Sequence, residues 1–294
     1  MDAGCEDWLH RHVPDAGAPE LVSDEAWARV WRLPAPGGAV WCKECAPAQA
    51  FEPQLSLSLY DRWPDRVARV VAYDTGRGWL LLADAGTPVR ALGNPLDVWL
   101  RALPRYAELQ RGETAHVAEH LAAGMPDLSA ATLPEKYEAL LRHDLPIDDS
   151  ELPHLRKVAP RFALLCDELV GAGVTSSVQH DDLHGTNLFV DGDRQRVIDW
   201  GDASIGHPFT SLVVTFRFLE PHSSASDRQR LRDAYLEPWG RGLDTVFDVA
   251  MRVGAFARAI AYLPQREAVP AAARSTFDED FTIVLRRALR LVVR

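Results

Sequence analysis

Cysteine is scarce in this sequence, and long apolar runs are absent from it. Four cysteines in 294 residues are too few for a disulfide framework, which indicates a reducing compartment. No segment approaches the ~18 consecutive apolar residues that a membrane helix needs. The segment Met1 to Pro14 lacks the basic start and apolar run of a signal peptide. We therefore expect a cytoplasmic protein that spans no membrane.

A positive net charge is also lacking. The chain has 42 acidic and 32 basic residues, which gives a formal net charge of -10. This balance disfavours a broad surface for nucleic-acid phosphates, and it suits solubility or a cationic partner. Hydrophobic residues make up 47% of the chain and charged residues 25%, as in ordinary globular proteins. We expect one two-lobed unit or two closely associated domains and no nucleic-acid partner.

One Cys-x-x-Cys pattern needs an interpretation, at Cys42 and Cys45. It lies in a predicted strand, where residues three apart point to opposite faces. No second pair of cysteines completes a zinc site. We therefore assign this pattern neither a metal nor a redox role.

The first 90 residues show the pattern of an antiparallel sheet. Residues 28–33 and 39–45 are rich in β-branched and aromatic residues and flank a Pro-Gly-Gly turn. Residues 69–73 and 79–83 flank a second turn, Thr-Gly-Arg-Gly. Two hairpins are therefore predicted in this part of the chain.

Helical periodicity marks one short early segment and most of the chain after residue 95. Phe51, Leu55 and Leu59 recur at four-residue spacing, and Pro53 suits the first turn of that helix. Longer apolar helical patterns follow at 155–169, 209–219, 243–263 and 279–293. The pattern predicts an α+β fold with a small antiparallel-β N-terminal lobe and a larger, mainly α C-terminal lobe.

A strand–turn–strand pattern interrupts the helical part, and polar residues crowd both of its ends. Residues 187–190 and 196–200 read as strands around Asp191-Gly192-Asp193. The stretch 179–187 precedes this hairpin, and Asp199 and Asp202 lie at its far end. We expect these polar side chains to converge at the mouth of the hairpin.

The spacing of three of these residues suits phosphoryl transfer. That reaction needs an oriented hydroxyl, metal ions on the phosphates and a cation that offsets developing charge. Asp182 can accept the hydroxyl proton, the amide oxygen of Asn187 can bind magnesium, and Asp199 supplies the hard carboxylate that magnesium prefers. The interval from Asp182 to Asn187 matches the catalytic loop of protein kinases.

The same stretch resembles the signature of the aminoglycoside phosphotransferase family, whose members are relatives of protein kinases. Residues 180–187 read His-Asp-Asp-Leu-His-Gly-Thr-Asn, and residues 198–208 begin Ile-Asp-Trp and end Gly-His-Pro. The family signature reads H-G-D-L-H-x-x-N, followed by I-D-W-x-x-x-x-x-G-x-P. The resemblance implies a two-lobed protein-kinase-like fold. We expect a nucleotide-binding N-lobe at 1–86 and a C-lobe at 87–294 that holds the catalytic loop and the acceptor site.

Residue by residue, the resemblance implies a catalytic set. Asp182 would be the catalytic base or would orient the hydroxyl, and His180 would be a packing element of the loop. Asn187 and Asp199 would bind Mg²⁺, and ATP or GTP would be the phosphate donor. These residues define the predicted reaction, the transfer of a phosphoryl group to a small-molecule hydroxyl.

In the N-lobe, Lys43 is similar to the lysine of the third strand of a kinase. It is one of very few lysines in the chain, and the resemblance makes it the contact to the α- and β-phosphates. Its acidic partner is expected to be Glu52, although Pro53 places Glu52 near the start of its helix. Glu44 is the alternative partner.

The segment 79–86 is similar to the linker between the lobes of a kinase. By that similarity the backbones of Ala83 and Ala85 would hydrogen-bond the purine ring. The sequence departs from the family in two places. No glycine-rich loop precedes residue 28, so Ser23 is a candidate to cover the phosphates, and Ser211 replaces an acidic residue that braces the catalytic loop.

The acceptor is not determined by these motifs. Within the family, acceptors range from aminoglycosides and other antibiotics to choline, sugars and amino alcohols, so antibiotic resistance is one open role. Asp181 and Asp202 are candidates to bind a cationic acceptor, or they cap neighbouring amides. The oligomeric state is equally open.

Two other function classes remain as alternatives. A nucleotide-binding kinase-like protein without turnover would keep the fold, but the presence of Lys43, Asp182, Asn187 and Asp199 argues against lost catalysis. A metal-dependent hydrolase would use His180 and His184 as a zinc pair on one helix face. The β-forming residues 188–190 argue against such a helix.

Overall fold

The computed structural model describes residue 1, residues 3–271 and residues 274–293 of the chain. It divides into two compact units. The first unit comprises Met1–Gly93 and Gly185–Gly201, and the second comprises Asn94–His184 and Asp202–Arg294.

Strands and helices are numbered in chain order. The strands are β1 (Glu20–Asp24), β2 (Ala28–Ala35), β3 (Gly38–Cys45), β4 (Val70–Asp74), β5 (Trp79–Ala83), β6 (Thr87–Pro88), β7 (Asp127–Leu128), β8 (Ser177–Gln179), β9 (Leu188–Asp191), β10 (Arg194–Val197) and β11 (Ser204–Gly206). The α-helices are α1 (Ala3–His12), α2 (Glu52–Arg62), α3 (Leu96–Glu113), α4 (Val117–Ala122), α5 (Leu133–Leu140), α6 (Leu152–Gly171), α7 (Leu212–Leu219), α8 (Ala225–Leu236), α9 (Asp244–Ala268) and α10 (Ser275–Val293). Helical structure therefore dominates after residue 95, as predicted.

The first unit is built on a five-stranded antiparallel sheet in the order β1-β2-β3-β5-β4. Ala35 pairs with Gly38 across the β2–β3 turn, and Gly37 in that turn has a φ of 85°. Only glycine adopts this left-handed conformation without strain, so the Pro-Gly-Gly segment can close the hairpin tightly. Both predicted hairpins of this region are confirmed.

Alternation along β3 separates the two faces of the sheet. Val40 and Cys42 are buried in an apolar cluster that contains Cys5, Trp8 and Leu9 of helix α1. Intervening residues such as Lys43 point to the other face because successive side chains of a strand point in opposite directions. Helix α1, which the sequence patterns do not predict, thus covers the face that carries Val40 and Cys42. Lys43 lies on the opposite face.

Helix α2 begins at Glu52, with Pro53 in its first turn. Leu55 and Leu59 are buried, and the helix packs on β4 and β5. Proline is tolerated here because the first amides of a helix have no intrahelical partner. The predicted short helix is confirmed, and its first residue, Glu52, is buried at 1% exposure.

The hairpin β9–β10 also packs in the first unit, although it lies far downstream in the chain. Strand β6 pairs with β9, which gives a three-stranded sheet in the order β10-β9-β6. Gly86, just before β6, has a φ of 107°, and a Cβ built there would lie 2.3 Å from the carbonyl oxygen of Val190. Glycine is therefore required for this close approach.

The second unit is a helical assembly around α9, which packs against α5, α6 and α10. The rings of Tyr137, Phe162 and Phe256 meet there with centroids 4.9–5.1 Å apart. The apolar stripe predicted for 155–169 is the buried face of α6, which ends at Gly171. A small sheet in the order β7-β11-β8 accompanies these helices. Among the described residues, no helix combines the length and the apolar character needed to span a membrane.

Candidate active site

The segment between β8 and β9 carries the predicted catalytic residues. The boundary between the two compact units falls inside this segment, between His184 and Gly185. Asn187 and Asp199 therefore belong to the first unit, and Asp181, Asp182 and Asp202 to the second. The predicted site residues therefore form two groups, one in each unit.

In the first unit, Lys43 joins two carboxylates. Its Nζ lies 2.6 Å from Oε2 of Glu52 and 2.5 Å from Oδ1 of Asp199. Burial by itself would lower the pKa of Lys43, but the negative charges of Asp199 and Glu52 outweigh it and raise the pKa well above its ordinary value. Lys43 therefore remains a protonated ammonium group at neutral pH. The predicted pairing with Glu52 is present in the structure.

The neighbouring residues of β3 take different partners. Glu44, the alternative partner of Lys43, accepts hydrogen bonds from Arg29 at 2.8 Å and from the indole N–H of Trp31 at 2.6 Å. The thiol of Cys45 donates to Oε2 of Glu52 at 3.4 Å, and burial raises the pKa of that thiol. All four cysteines are free, and Cys42 and Cys45 contact different groups.

A cavity of about 240 Å³ lies beside Lys43 within the first unit. Lys43, Glu52, Asn187 and Asp199 give it one polar end. Its other walls are mainly apolar and are formed by Val30, Trp41, Cys42, Ala68, Leu82, Ala83, Ala85, Thr186, Phe189 and Ile198. An apolar slot with a few convergent charged groups suits a planar base that carries phosphates.

The three remaining nucleotide-site predictions differ in their surroundings. The N–H of Ala83 donates to the carbonyl oxygen of Arg69 at 2.9 Å. Ala85 is buried, and its backbone has no hydrogen-bond partner within the part of the chain that the structure describes. Ser23 lies outside the cavity lining and pairs in register with Val30, which lines it. Of the two alanines, Ala85 has the backbone groups free to meet a ligand.

Asn187 and Asp199 lie at the open end of the β9–β10 hairpin. The N–H of Ile198 donates to the carbonyl oxygen of Asn187 at 3.0 Å, which links the two strand ends. Asp199 has a φ of 62° and is 48% exposed. One amide and one carboxylate oxygen fit Mg²⁺, which takes few protein ligands when phosphates and water supply the rest.

The structure gives little support to a zinc site at His180 and His184. No group of three or more His, Cys, Asp or Glu side chains that could hold a metal ion exists among the described residues. His180 and His184 both contact Asp182: Nδ1 of His180 accepts the Asp182 N–H at 3.2 Å, and Nε2 of His184 lies 3.2 Å from Oδ2 of Asp182. Structural and catalytic zinc sites need three or four converging ligands.

In the second unit, Asp182 lies in a polar environment that favours its charged form. Nη2 of Arg258 lies 3.3 Å from its Oδ1, opposite the contact with His184. Burial by itself would raise the pKa of Asp182, but His184 and Arg258 outweigh it and lower the pKa below its ordinary value. Asp182 is therefore ionised at neutral pH, as a proton acceptor must be.

A buried hydrogen-bond network holds the loop that carries Asp182. The hydroxyl of Tyr106 accepts the His180 N–H at 3.0 Å and lies 2.8 Å from Oγ of Ser211. Ser211 in turn donates to Oε1 of Gln179 at 2.9 Å. Ser211 thus takes part in the bracing of this loop, at the position where the family often has an acidic residue.

Asp181 and Asp202, the candidates for a cationic acceptor, are both engaged within the protein. Asp181 is buried and accepts a hydrogen bond from Ser204, and burial raises its pKa to about 6. Asp202 accepts from Arg258 at 2.9 Å and from Gln265 at 2.8 Å. Sequence reasoning missed Arg258 and Gln265. An arginine within the apolar run of helix α9 is the signal that could have found the first.

The family model for the phosphotransferase enzyme family (APH) matches residues 64–245. No sequence among the curated proteins matches the chain.

Solved structures show the same fold at low sequence identity. Choline kinase LicA from Streptococcus pneumoniae is 13% identical, with a TM-score of 0.69 and 99% of each chain covered. LicA in complex with AMP has a sequence identity of 13% and a TM-score of 0.67, and the match covers 100% of this chain and 98% of the LicA chain. APH(2″)-IIia in complex with GDP and kanamycin has a sequence identity of 18% and a TM-score of 0.65. The match covers 99% of this chain and 97% of that chain.

Proposed function

Because the chain belongs to the phosphotransferase enzyme family and is thus a phosphotransferase with an alcohol group as acceptor, we propose that it transfers the γ-phosphate of ATP or GTP to a small molecule. The observation that carries the proposal is the position of Lys43. Its ammonium group lies between Glu52 and Asp199 at the polar end of an apolar cavity. A largely buried lysine held between two carboxylates offers the positive charge that the phosphates of a nucleotide require.

The donor nucleotide occupies this cavity in our proposal. Lys43 contacts the α- and β-phosphates and Glu52 orients it, while the purine lies between the apolar walls. The unpartnered backbone of Ala85 hydrogen-bonds the base edge, with Ala83 beside it, and Ser23 covers the phosphates. One of the similar structures contains AMP and another contains GDP, so the likeness does not choose between ATP and GTP.

Asn187 and Asp199 hold Mg²⁺ in our proposal. The metal ion supplies positive charge that neutralises the phosphate oxygens. Asp199 is the more exposed of the two carboxylates around Lys43, so it can serve both the lysine and a ligand.

Asp182 accepts a hydrogen bond from the acceptor hydroxyl and takes its proton. Its depressed pKa keeps it ionised, and its two oxygens are oriented by His184 and Arg258. The acceptor is an antibiotic such as an aminoglycoside, a sugar or an amino alcohol. A cytoplasmic location, inferred from the scarce cysteines, and the absence of a nucleic-acid partner, inferred from the net charge of -10, complete the proposal.

Thermal stability with nucleotides tests the proposal. We would measure the melting temperature with ATP or GTP, with and without magnesium, for wild type, Asp199→Ala and Lys43→Met. Lys157→Met removes an exposed lysine and is the matched control. We expect magnesium-dependent stabilisation by one nucleotide in wild type and control, because a ligand of the native state raises its melting temperature, and loss of that stabilisation in both site variants.

Two results would count against the proposal in different ways. No stabilisation by either nucleotide would contradict nucleotide binding altogether. Stabilisation by a nucleotide, without turnover of any acceptor, would favour the non-catalytic alternative.

A further inference from the structure

Helix α9 buries an arginine beside the proposed catalytic base. Arg258 is only 8% exposed and lies among buried apolar residues of the same helix, including Ala257 and Ala259. A guanidinium group is rarely buried unless partners offset the loss of its hydration. The contacts of Arg258 therefore indicate why it is there.

Arg258 connects two carboxylates through one nitrogen. Its Nη2 donates to Oδ2 of Asp202 at 2.9 Å and to Oδ1 of Asp182 at 3.3 Å. The guanidinium carbon lies 4.7 Å from the ring centroid of Tyr262, a cation–π distance. Gln265 donates to the other oxygen of Asp202 at 2.8 Å. Arg258, Tyr262 and Gln265 follow the i, i+4, i+7 spacing, so one face of α9 presents all three.

The other terminal nitrogen of Arg258 is unpartnered. Its Nη1 is buried and has no hydrogen-bond partner among the described residues. Buried donors are nearly always satisfied, by the protein, by water or by a ligand. The guanidinium group is planar and rigid, so the contacts of Nη2 fix where Nη1 points. Because the same guanidinium group contacts Asp182, a ligand oxygen beside Asp182 is the candidate partner for this donor.

The charges of the cluster restrict what that oxygen belongs to. Asp182 and Asp202 outnumber Arg258, so the cluster has a net negative charge and disfavours an anionic ligand. Both oxygens of Asp202 are already occupied, and Asp181 is buried and bonded to Ser204. Asp182 also contacts His184 and Arg258, so each carboxylate of this cluster has a partner within the protein and none is arranged for an ammonium group.

We propose that Arg258 is an acceptor-binding residue that holds Asp182 through Nη2 and donates through Nη1 to an uncharged oxygen of the acceptor. That oxygen is a hydroxyl, ether or carbonyl oxygen, and the acceptor is an uncharged polyhydroxylated molecule instead of an amino alcohol or an aminoglycoside. This inference rests on the proposed function and names the acceptor class of the same site.

A substrate panel tests the acceptor part. The uncharged probes are glucose, myo-inositol and glycerol, and the cationic probes are choline, ethanolamine and kanamycin. Release of nucleoside diphosphate is measured with magnesium and the stabilising nucleotide for wild type, Arg258→Lys and Arg258→Met. Arg252→Met is the matched control, since Arg252 lies on the same helix and makes no ion pair with any residue the structure describes.

We expect wild type to phosphorylate at least one uncharged probe. Arg258→Lys keeps a positive charge beside Asp182 but lacks the second guanidinium nitrogen that binds the acceptor oxygen. KM for that probe should therefore rise about tenfold or more, while kcat falls less. Arg258→Met affects both constants, and Arg252→Met affects neither. Turnover of cationic probes only, no turnover of any uncharged probe, or Arg258 variants that behave like the control would overturn the acceptor part.

Titration of Asp182 tests the holding part without an acceptor. The charged or titratable groups that act on Asp182 are Arg258 and Tyr262 of α9, His180, Asp181 and His184 of its own loop, and Asp202. Its carboxyl pKa is measured by carbon-13 NMR, with Asp182→Asn used to assign the signal. We expect the pKa to rise in Arg258→Met because the opposing positive charge is lost, and an unchanged pKa would overturn the holding role.

Nucleotide-dependent stabilisation separates this inference from the proposed function. Wild type and all three arginine variants should keep it, since none of them alters the Lys43 cavity. Its absence from wild type would contradict the proposed function itself. Its presence, with Arg258 variants equal to the control, would contradict only the role of Arg258.

Discussion

In the first unit a lysine lies between two carboxylates, and in the second unit an arginine does. Lys43 joins Glu52 to Asp199, and Arg258 joins Asp202 to Asp182. In each cluster the more exposed carboxylate is the one to which we assign a chemical role, and the more buried one anchors the cation. The less exposed carboxylate, Glu52 or Asp202, holds the cation in place while the cation orients a second carboxylate that still reaches a ligand.

The two cations differ in a way that matches their proposed ligands. Lysine is a compact charge with rotatable donors, which suits the several oxygens of a nucleotide's phosphates. Arginine is a planar fork, stacked here on Tyr262, and its fixed donors suit a single oriented acceptor. We therefore expect variants of the first cluster to weaken nucleotide binding, and variants of the second to impair acceptor binding or phosphoryl transfer.

The largest expected effect is that of Asp182→Asn. The amide cannot take the hydroxyl proton, so kcat should fall by about 10²–10⁴-fold, the usual contribution of a general base. Nucleotide binding should be unchanged, because Asp182 does not line the nucleotide cavity. Steady-state kinetics with the best acceptor of the panel checks this. A retained kcat would show that Asp182 is not the base.

Next is the stability effect of Lys43→Met. It leaves Glu52 buried without its cation, and breaking a buried pair in this way costs about 3–5 kcal/mol. Urea unfolding of the variant and of the control Lys157→Met measures the difference in the free energy of unfolding.

The double variant Lys43→Met/Glu52→Gln sharpens this prediction. It should recover much of the lost stability, since no unpaired charge remains buried. A double variant no more stable than Lys43→Met would show that the loss does not come from the charge of Glu52.

A pH-dependent effect of intermediate size comes from Asp181. Burial raises its folded-state pKa to about 6, above the ~3.9 of an unfolded chain, so the folded state binds more protons between these values. The stability that Asp181 contributes is therefore present at low pH and lost as the pH rises through 6. We expect wild type to lose about 2–3 kcal/mol relative to Asp181→Asn between pH 4 and pH 7.

Urea unfolding of wild type and Asp181→Asn at several pH values checks this linkage. The difference between the two proteins isolates Asp181 from the other titrating groups. A difference that is constant with pH would mean that the folded-state pKa of Asp181 is ordinary.

The smallest expected effect is that of Tyr106→Phe. It removes the hydroxyl that accepts the His180 N–H and contacts Ser211, so buried polar groups lose their partner. The cost should be about 1–3 kcal/mol in the free energy of unfolding. Because this network braces the loop of Asp182, kcat should also fall while nucleotide binding is kept. Equal stability and kcat in the variant would show that the network does not support the loop.

The resemblance to the family supplied the residues of the first cluster, and local strand and helix patterns predicted the elements that carry Lys43 and Glu52. The hairpins at 28–45 and 69–83 and the short helix after Phe51 follow from turn residues and periodicity, and they bring Lys43 near Glu52. Strand alternation also explains why Glu44, next to Lys43, faces other partners. The predicted functional division of the chain at residue 86 stays a prediction.

The sequence predicted the carboxylates of the second cluster but not its cation, because the cation comes from a distant helix. Asp182 belongs to a recognisable motif, whereas Arg258 is 76 residues away and no short motif marks it. The packing of α9 places it beside the loop, and packing of helices depends on the whole core. For the same reason the docking of α1 on β3 through Cys5 and Cys42 had no sequence signal.

Calorimetric titration of magnesium with ATP or GTP into wild type, Asp199→Ala and Asp182→Asn tests directly whether the two clusters have separate roles. We expect Asp182→Asn to bind the nucleotide as wild type does, and Asp199→Ala to bind it at least about tenfold more weakly, a loss of about 1.4 kcal/mol. Equal weakening in both variants, or in neither, would contradict the division of labour between the two clusters.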